Sequence, residues 1–420
     1  MKTSRKEKII KYSYEIDTLS NEIRKWISLY ESKPDAALIK EQIEQLFFDN
    51  EEFSKVATDD IEIVIEASFE RTSNKYGILQ KLLDDTDINE IMVNGPEHIY
   101  VEKNRKLMPV DNAFTSQDEL EEIIRMFATD VHREINEANP IVDARLKNGY
   151  RVNGVLSNVA INGPILTIRK FSDNEIQIKD LIKYGSITKE CAQDLICLVN
   201  AGYNIFISGG TSSGKTTFLN ALAAAINPNE RAIIIEDSAE LKISNLENKV
   251  HMECRSANSI GKGEVTMEKL IKTSLRMRPD RIIVGEVRGR EVVDMIQAMN
   301  TGHEGSMSTG HGNSIKGMLN RLETMYLMDS QIPIFSVKNQ IANAIDIFVH
   351  LRRNSCGKRG VVEVAELDGF DGRDYKINYL YHLDADGMLK RTGNGLMDRG
   401  RLDRAGYGKK LEGKKYDNSK

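Results

Sequence analysis

The sequence predicts an α/β fold, preceded by a smaller α+β region and by an N-terminal helical segment. Residues 186–390 show short runs of Ile and Val that alternate with helical stretches, and residues 76–172 show short strands and turns. In residues 1–75, apolar side chains recur at helical spacing. The polar residues 173–185 predict a linker, and the basic residues 391–420 predict a C-terminal tail.

The composition is that of an ordinary globular protein. Of 420 residues, 40% are hydrophobic, and the formal net charge of −5 implies no overall attraction to nucleic acid or to an anionic membrane. No apolar run is long enough to span a bilayer, so we expect a cytoplasmic chain that reaches a membrane only through partners. The basic tail is expected to be solvated. No C-x-x-C pair links the cysteines, which predicts packed thiols in a reducing compartment: Cys191, Cys197, Cys254 and Cys356.

Two apolar stripes predict helices near the N-terminus, with Lys33, Pro34 and Asp35 between them. We expect a small bundle in which the stripes pack on each other, and a coiled coil with a partner protein remains the alternative. The first stripe contains Ile9, Ile16, Leu19, Ile23, Trp26 and Tyr30, and the second contains Leu38, Ile39, Ile43, Leu46 and Phe47.

Two hairpins, with a helix over residues 120–128 between them, are predicted in the α+β region. Further along the chain, a helix over residues 188–200 is expected to stop at Gly202. Three Ile- and Val-rich strands follow, and they are apolar on both faces, which is typical of a buried parallel sheet covered by helices. The hairpin strands are residues 91–93 with 99–101 and 141–146 with 151–155, and the sheet strands are residues 204–208, 232–236 and 281–284.

One segment fits the phosphate-binding loop pattern G-x-x-x-x-G-K-[ST] without a gap, between a predicted strand and a predicted helix. Small residues let backbone N–H groups turn toward a phosphate, and the helix N-terminus adds its positive dipole end. Lys215 is expected to reach the β- and γ-phosphates, and the Thr216 hydroxyl to bind Mg²⁺. The predicted nucleoside triphosphate site contains Gly209, Gly210, Thr211, Ser212, Ser213, Gly214, Lys215, Thr216 and Thr217.

Acidic residues follow two of the predicted core strands. Ligands of open α/β sheets bind beyond the carboxyl ends of the strands. Glu236 and Glu240 are therefore candidates to hold Mg²⁺, directly or through water, or to orient an attacking water. Asp237 alone also suits a helix N-cap. Glu286 follows the next strand, with Gly285 where many proteins with this loop carry aspartate, and is the candidate to position the water that attacks the γ-phosphate.

Two histidines and several arginines complete the candidate set. His303 and His311 stand in a segment rich in Gly, Ser and Thr with no cysteine nearby, which favours γ-phosphate sensing over metal ligation. Four arginines crowd the Glu286 segment, and the sequence does not decide between phosphate binding and an ordinary surface or subunit-interface role. They are Arg276, Arg278, Arg288 and Arg290.

Taken in order, these motifs resemble those of the secretion and pilus ATPase superfamily. The phosphate loop is similar to its Walker A motif. Residues 235–240, 275–289 and 301–314 are similar to the Asp box, the Walker B motif and the His box of that superfamily, in this order. The resemblance covers about residues 80–407.

Further segments resemble the CpaF-type branch of tight-adherence (Tad/Flp) pilus systems: residues 89–95, 140–146, 166–169 and 392–394. The resemblance implies a RecA-like P-loop NTPase core behind a small α+β (PAS-like) domain. It also implies a homohexameric ring that hydrolyses ATP with Mg²⁺. The ring is implied to drive assembly, or also retraction, of the pilus or protein secretion through an inner-membrane platform, touching pilin only indirectly and no nucleic acid. Its implied site residues are Lys215, Thr216, Glu286, Glu236, Glu240, His303, His311, Arg145, Arg151 and Arg169, and the acids Glu240 and Glu286 are implied to reach Mg²⁺, directly or through water.

Two departures from the family pattern stand out. Gly310 and Gly312 replace an aliphatic residue and alanine, which predicts a looser backbone beside His311. The tetracysteine module of many type II secretion ATPases is absent.

The main alternative is a traffic ATPase of a type IV secretion or conjugation system, which shares all four boxes. A RecA-like nucleic-acid translocase is disfavoured by the acidic charge, and a regulatory nucleotide-binding module would differ by lacking turnover.

Overall fold

The computed structural model forms two compact units, residues 1–173 and 174–420. In the described part of the chain, no helix is both long enough and apolar enough to cross a membrane. The described residues are 3–103, 106–170, 175–255, 257, 262–328, 331–354, 357–384, 386–409 and 411–412.

The first unit begins with helices that pack into a bundle. Ile16, Leu19 and Ile23 of the predicted first stripe are fully buried, in one core with residues of the second stripe. The second-stripe helix begins after Asp35, whose carboxylate accepts a hydrogen bond from the Leu38 N–H at 2.8 Å. The predicted bundle is therefore confirmed. The helices are α1 (Arg5–Lys11), α2 (Ser13–Ile27), α3 (Ala36–Asp49), α4 (Ile61–Ser73) and α5 (Gln80–Asp84).

A six-stranded antiparallel sheet follows, with a helix packed on it, and both predicted hairpins are present. Ile124 and Phe127 of the helix share a core with Val93, Val152 and Ile168 of the strands. The elements are β1 (Ile88–Asn94), β2 (Ile99–Lys103), β3 (Lys106–Pro109), α6 (Gln117–Asp130), β4 (Ile141–Arg145), β5 (Arg151–Val155) and β6 (Ile165–Arg169), and the spatial order of the strands is β3-β2-β1-β6-β5-β4.

A buried ion pair joins the bundle to the α+β region. Arg71 of α4 places its Nε 2.9 Å from Oε1 of Glu119 in α6, and both side chains are buried. Arg71 also donates hydrogen bonds to the carbonyl oxygens of Ala67 and Ala113, at 2.9 and 2.7 Å. Removing one partner of such a pair would leave an uncompensated buried charge. The two segments therefore lie in one compact unit rather than as separate bodies.

The second unit is built on a nine-stranded sheet. The predicted parallel sheet is confirmed, and antiparallel strands extend it at one edge. Its strands are β7 (Ile205–Gly209), β8 (Ala232–Glu236), β9 (Lys249–Glu253), β10 (Arg281–Val287), β11 (Met307–His311), β12 (Ile347–Arg353), β13 (Arg359–Phe370), β14 (Tyr375–Leu383) and β15 (Leu389–Arg391). Its helices are α7 (Ile178–Lys183), α8 (Lys189–Asn200), α9 (Lys215–Ala223), α10 (Met267–Ser274), α11 (Val292–Asn300), α12 (Ile315–Leu327), α13 (Ile334–Ala344) and α14 (Gly400–Arg404).

The strand order, β15-β14-β13-β12-β7-β11-β10-β8-β9, brings the candidate residues together. Strands β12, β7, β11, β10, β8 and β9 run parallel, so their carboxyl ends meet at one edge of the sheet. Alternate residues of these strands pack into two different hydrophobic cores. Ile234 and Ile283 belong to one core, and Ile235 and Val284 belong to the other. The candidate residues at that edge are Gly209, Glu236, Glu286 and His311.

The predicted linker and the predicted tail both contribute to the core of the second unit. Within the predicted linker, α7 forms and its Leu181 packs into that core. Within the predicted tail, Leu396 and Leu402 are buried in the same core, and the Tyr203 hydroxyl donates to the Asp398 carbonyl at 2.6 Å. The prediction of a solvated tail is therefore wrong for the described residues, because leucines spaced among its basic residues pack on the sheet domain.

The predicted packing of thiols is confirmed for Cys191 and Cys197, which are buried. Cys254 is half-buried, and burial raises the pKa of its thiol to about 11, so this thiol is protonated at neutral pH. Cys356, the first two residues of the predicted linker and the tail beyond residue 412 lie outside the described residues.

Candidate active site

The loop between β7 and α9 forms a cradle of backbone groups. Gly214 (φ +93°) and Ser212 (φ +56°) adopt left-handed conformations, which turn successive N–H groups toward one point. A Cβ atom at Gly209 would lie 2.5 Å from Ser213 Oγ and 2.7 Å from the Leu351 carbonyl oxygen, so glycine is required there. Ser213 Oγ is buried without a hydrogen-bond partner among the described residues. Backbone donors and a free hydroxyl at a helix N-terminus fit a bound phosphate.

The other residues of the predicted loop lie on the same cradle. Apart from the chain neighbours of Gly210, no atom of the described residues lies within 4 Å of the place where its Cβ would stand, so the opening is clear on that side. Thr211 is exposed, and the half-buried Thr216 and Thr217 follow Lys215 in the first turn of α9. No group of three or more His, Cys, Asp or Glu among the described residues could hold a metal ion. Mg²⁺ bound mainly by phosphate oxygens needs only one or two protein groups, so the Thr216 hydroxyl still fits it.

Lys215 is held inside the cradle. Its Nζ donates to the Gly210 carbonyl oxygen at 3.2 Å. It also lies 3.3 Å from His311 Nδ1 and 3.8 Å from Glu286 Oε1. Burial lowers the pKa of Lys215, because the ammonium loses hydration that nearby groups only partly replace. A phosphate anion in the cradle would supply the missing compensation.

Glu286 lies beside Lys215, near the carboxyl end of β10. Its Oε2 accepts a hydrogen bond from Arg288 Nε at 2.8 Å and lies 2.7 Å from Nη2 of the same guanidinium. Its Oε1 lies 2.8 Å from His311 Nε2. The structure thus assigns Arg288, one of four arginines whose role the sequence left open, to Glu286. A carboxylate fixed in this way beside the cradle is placed to orient water.

Gly285 leaves room for a carboxylate from the neighbouring strand. A Cβ at Gly285 would lie 2.8 Å from Glu236 Cγ and 3.3 Å from Glu236 Oε1. On the other side, the Thr309 hydroxyl donates to the Gly285 carbonyl oxygen at 2.8 Å. The aspartate that is absent from this position could not fit, because the Glu236 side chain already fills the space.

The two acids of the Asp box have different surroundings. Glu236 is 3% exposed, and its carboxylate accepts hydrogen bonds from the N–H groups of Glu240 at 3.0 Å and Leu241 at 3.2 Å. Glu240 is half-buried and lies within electrostatic reach of Arg288. The structure therefore assigns Glu236 to the turn after β8. The same turn also carries Asp237, whose Oδ2 lies 3.5 Å from Arg288 Nη1.

The two predicted histidines occupy different places. His311 ends β11 and contacts both Lys215 and Glu286. Burial and the neighbouring Lys215 charge lower the pKa of His311, so its imidazole is neutral at pH 7. His303 lies before β11, with its Nδ1 3.1 Å from the Ala298 carbonyl oxygen at the end of α11. The structure brings His311 to Glu286 and holds His303 at that helix end instead.

Other side chains fill the space beside the two glycines that flank His311. A Cβ at Gly310 would lie 2.8 Å from Met318 Cε and 2.9 Å from Phe206 Cζ, and one at Gly312 would lie 3.0 Å from Met318 Cβ. Met318 of α12 therefore occupies the space that larger residues would need. The structure contradicts the expected looseness beside His311, because both glycines make room for a side chain and neither has a positive φ.

A family model described as type II/IV secretion system protein matches residues 72–382. The chain belongs to this family. Conjugal transfer protein TrbB of Rhizobium radiobacter is 33% identical over 308 residues, which cover 72% of this chain and 91% of TrbB. Type IV secretion system protein PtlH of Bordetella pertussis is 30% identical over 317 residues, which cover 69% of this chain and 94% of PtlH. Both relatives are named for conjugation or type IV secretion, and neither for a Tad pilus.

A solved structure supports the fold. The pilus retraction motor PilT, determined with bound ADP, aligns with a TM-score of 0.51 at 16% identity and covers 81% of this chain and 90% of PilT. At that identity the likeness concerns the fold alone. The predicted α/β fold with a RecA-like core is thereby confirmed.

In this type II/IV secretion system protein, three predicted arginines of the first unit form a row. Arg145, Arg151 and Arg169 are directly paired across β4, β5 and β6, so their side chains leave the same face of the sheet. Glu90 of β1 is paired with Arg169 and extends the row. Arg145 Nε also donates to the Gly149 carbonyl oxygen at 3.3 Å. Three separate sequence segments therefore build one cationic cluster, whose role toward a nucleotide remains a prediction.

Two histidines of the second unit were missed from the sequence. His251 of β9 places its Nε2 2.5 Å from Glu236 Oε2. His350 of β12 is 2% exposed, and its Nδ1 lies 2.9 Å from Oγ of Ser208, the residue before the cradle. Alternation of apolar and polar residues over Lys249–Glu253 was the available signal for β9 and its histidine. His350 carried no local signal, because its partner depends on the order of the strands.

Proposed function

We propose that this chain is an ATP hydrolase that powers a membrane-bound transport machine. The observation that carries the proposal is the cluster of Lys215, Glu286 and His311 beside the phosphate cradle. Transfer of a phosphoryl group to water needs a cation for the β- and γ-phosphates and a group that positions the attacking water. Lys215 and Glu286 supply these two parts within one cluster.

Each residue then has a definite task. The cradle N–H groups and Lys215 hold the phosphates, while Thr216 binds Mg²⁺ with Glu240 and Glu286 directly or through water. When bound there, Mg²⁺ would supply neutralisation of the phosphate charge. Glu286 orients the attacking water and takes its proton. The neutral imidazole of His311, in contact with both Lys215 and Glu286, is placed to respond when a γ-phosphate occupies the cradle.

The arginine row supports a further part of the proposal. Guanidinium groups bind phosphate oxygens in a fixed, forked geometry, and three of them on one sheet face make a strong anion site. We propose that Arg145, Arg151 and Arg169 reach the triphosphate, from the same subunit or from its neighbour in a homohexameric ring. Binding of ATP would then favour closure, and loss of the γ-phosphate would remove that advantage.

We propose that the machine is a type IV secretion or conjugation system. The names and the coverage of TrbB and PtlH support this choice over a Tad pilus. In such a system the ring acts at the inner face of the membrane through membrane partners. A nucleic-acid translocase is not favoured, because the formal net charge of the chain is −5.

A Tad pilus motor remains a second candidate, in which the ring drives pilus assembly through an inner-membrane platform. Two observations favour it: the helical bundle before residue 72 lies outside the family match, and the closing segment over residues 392–394 resembles that branch. A deletion strain complemented with this chain separates the candidates. Restored transfer of DNA or protein without surface filaments supports the type IV system, and restored filaments without transfer support the Tad motor.

Hydrolysis is tested with the purified full-length chain. We expect phosphate release from ATP that requires Mg²⁺ and is lost in Thr216→Val, since valine keeps the shape of threonine but removes the hydroxyl. Glu44→Gln, on the exposed face of α3, is the control and should match the wild type. A chain that shows no turnover would contradict the proposal, and strong stimulation by added DNA would favour the translocase instead.

A further inference from the structure

The Glu236 carboxylate lies at the centre of a buried network. Its side chain is 4% exposed, and three donors surround it: the N–H groups of Glu240 and Leu241 and the imidazole of His251. An ionised carboxylate only accepts hydrogen bonds, so His251 donates from Nε2. A buried carboxylate is costly unless donors of this kind satisfy it.

His251 reaches Glu236 diagonally across two neighbouring parallel strands. In the β8–β9 register, His251 is paired with Ile234 and Glu253 with Glu236. Diagonal neighbours on one face are within reach of a long side chain. The His251 side chain is 32% exposed, so its outer edge faces solvent while Nε2 points to the buried carboxylate. Strand β9 is the last strand of the sheet, and this contact fixes Glu236 from the outer side.

Gly285 limits the position of Glu236 from the inner side. The missing Cβ of Gly285 leaves just enough space for the Glu236 Cγ and Oε1 atoms. The carboxylate is thus held between β10 and His251, and its oxygens are directed at the turn over residues 237–241. The first contact in that turn is the N–H group of Glu240, whose charge is within electrostatic reach of Arg288. At the start of the same turn, Asp237 Oδ2 lies 3.5 Å from Arg288 Nη1, so the turn is joined to the Arg288 and Glu286 pair.

We propose that His251 is a positioning residue for hydrolysis, which acts through Glu236 on the turn that carries Glu240. The inference rests on the proposed ATP hydrolysis. His251 holds the Glu236 carboxylate in the one orientation that satisfies both N–H groups, and the turn then places Glu240 for the Mg²⁺-bound triphosphate. Without this donor, Glu236 Oε2 loses its imidazole partner, and the carboxylate holds the two N–H groups of the turn less firmly.

The test compares two substitutions in the full-length chain. His251→Leu removes the donor, whereas His251→Gln keeps an N–H donor at a similar reach. For His251→Leu we expect kcat to fall about 10-fold or more, since small misplacements of catalytic groups have effects of this size. We expect the KM for ATP to stay within about 2-fold of wild type, because the cradle is untouched. His251→Gln should keep most of the wild-type kcat. The Mg²⁺ concentration for half-maximal activity should rise only in His251→Leu.

The matched control is His382→Leu. His382 of β14 also faces a carboxylate on its neighbouring strand, with Nε2 3.7 Å from Glu363 Oε1, but it lies near the opposite edge of the sheet. This variant should keep wild-type kcat, KM and Mg²⁺ dependence. A loss of kcat in the control equal to that in His251→Leu would assign both effects to general destabilisation and overturn the proposal.

Hydrogen exchange supplies a readout that does not depend on turnover. In His251→Leu, amide exchange should rise in a peptide covering residues 237–241 and stay unchanged in β7 and β11. Unchanged exchange in that peptide, or unchanged kcat in His251→Leu, would overturn the positioning role. Absence of turnover in the wild type would instead overturn the proposed hydrolysis, while the exchange result would still decide whether His251 holds the turn.

Discussion

Replacement of Gly285 with alanine tests the packing that stands in place of the missing aspartate. The new Cβ would lie 2.8 Å from Glu236 Cγ, below the 3.4 Å at which ordinary contact begins. Glu236 cannot move cheaply, because its carboxylate is held by two backbone N–H groups and by His251. Overpacking of a filled site costs about 1–3 kcal/mol, and a weakened hydrogen bond to the turn adds about 1 kcal/mol. We therefore expect Gly285→Ala to lower the free energy of unfolding by about 2–4 kcal/mol.

Urea denaturation followed by circular dichroism measures this loss. Gly400→Ala is the control, because its Cβ would lie 3.5 Å from the nearest atom, Asp398 Oδ1, and alanine suits the helix that Gly400 begins. In a Glu236→Ala background the clash is absent, so adding Gly285→Ala should cost less than about 1 kcal/mol. An equal loss in both backgrounds would refute the contact on which this explanation of Gly285 depends.

Three further predictions concern the second unit. Arg288→Ala should lower kcat about 10-fold, because Glu286 loses the partner that fixes its orientation. The free energy of unfolding should change by less than about 1 kcal/mol, because the guanidinium of this pair is mostly exposed. An unchanged kcat would contradict this role of Arg288. Burial lowers the pKa of His350 to about 4, below its unfolded value, so its neutral form stabilises the fold above about pH 6.5 and that contribution is lost as the pH falls toward 4. His350→Asn should therefore show a smaller loss of stability between pH 7 and pH 4.5 than the wild type in urea titrations, and an equal loss would contradict the assignment. Gly310→Ala should lower the thermal unfolding midpoint less in a Met318→Ala background than in the wild type, since Met318 Cε occupies the space; an equal loss in both backgrounds would exclude that contact.

Local patterns made much of this fold predictable. The phosphate loop depends on a contiguous segment, and its strand and helix flank it directly, so sequence spacing was sufficient. The Ile- and Val-rich runs were correctly assigned to a buried parallel sheet, because a strand buried on both faces has no polar alternation. In the bundle, Ile16, Leu19 and Ile23 follow helical spacing and all are buried.

Contacts between distant segments could not be predicted from the sequence. The relation of Gly285, Glu236 and His251 depends on the spatial order of β10, β8 and β9, which differs from their order in the chain. The contact of Met318 with Gly310 likewise joins two different elements, so no local sequence pattern indicated it. The tail was misjudged because its charges dominate the composition, although a few buried leucines such as Leu402 decide where it packs.

Nucleotide binding and turnover, measured side by side in Lys215→Ala and Glu286→Gln, test the central claim most directly. Calorimetric titration with ATP should show that Lys215→Ala has lost binding, because the cradle has lost its cation. Glu286→Gln should bind ATP with nearly wild-type affinity, yet its phosphate release should fall about 100-fold or more, since the group that orients water and takes its proton is gone. A Glu286→Gln chain that releases phosphate at the wild-type rate would contradict the account.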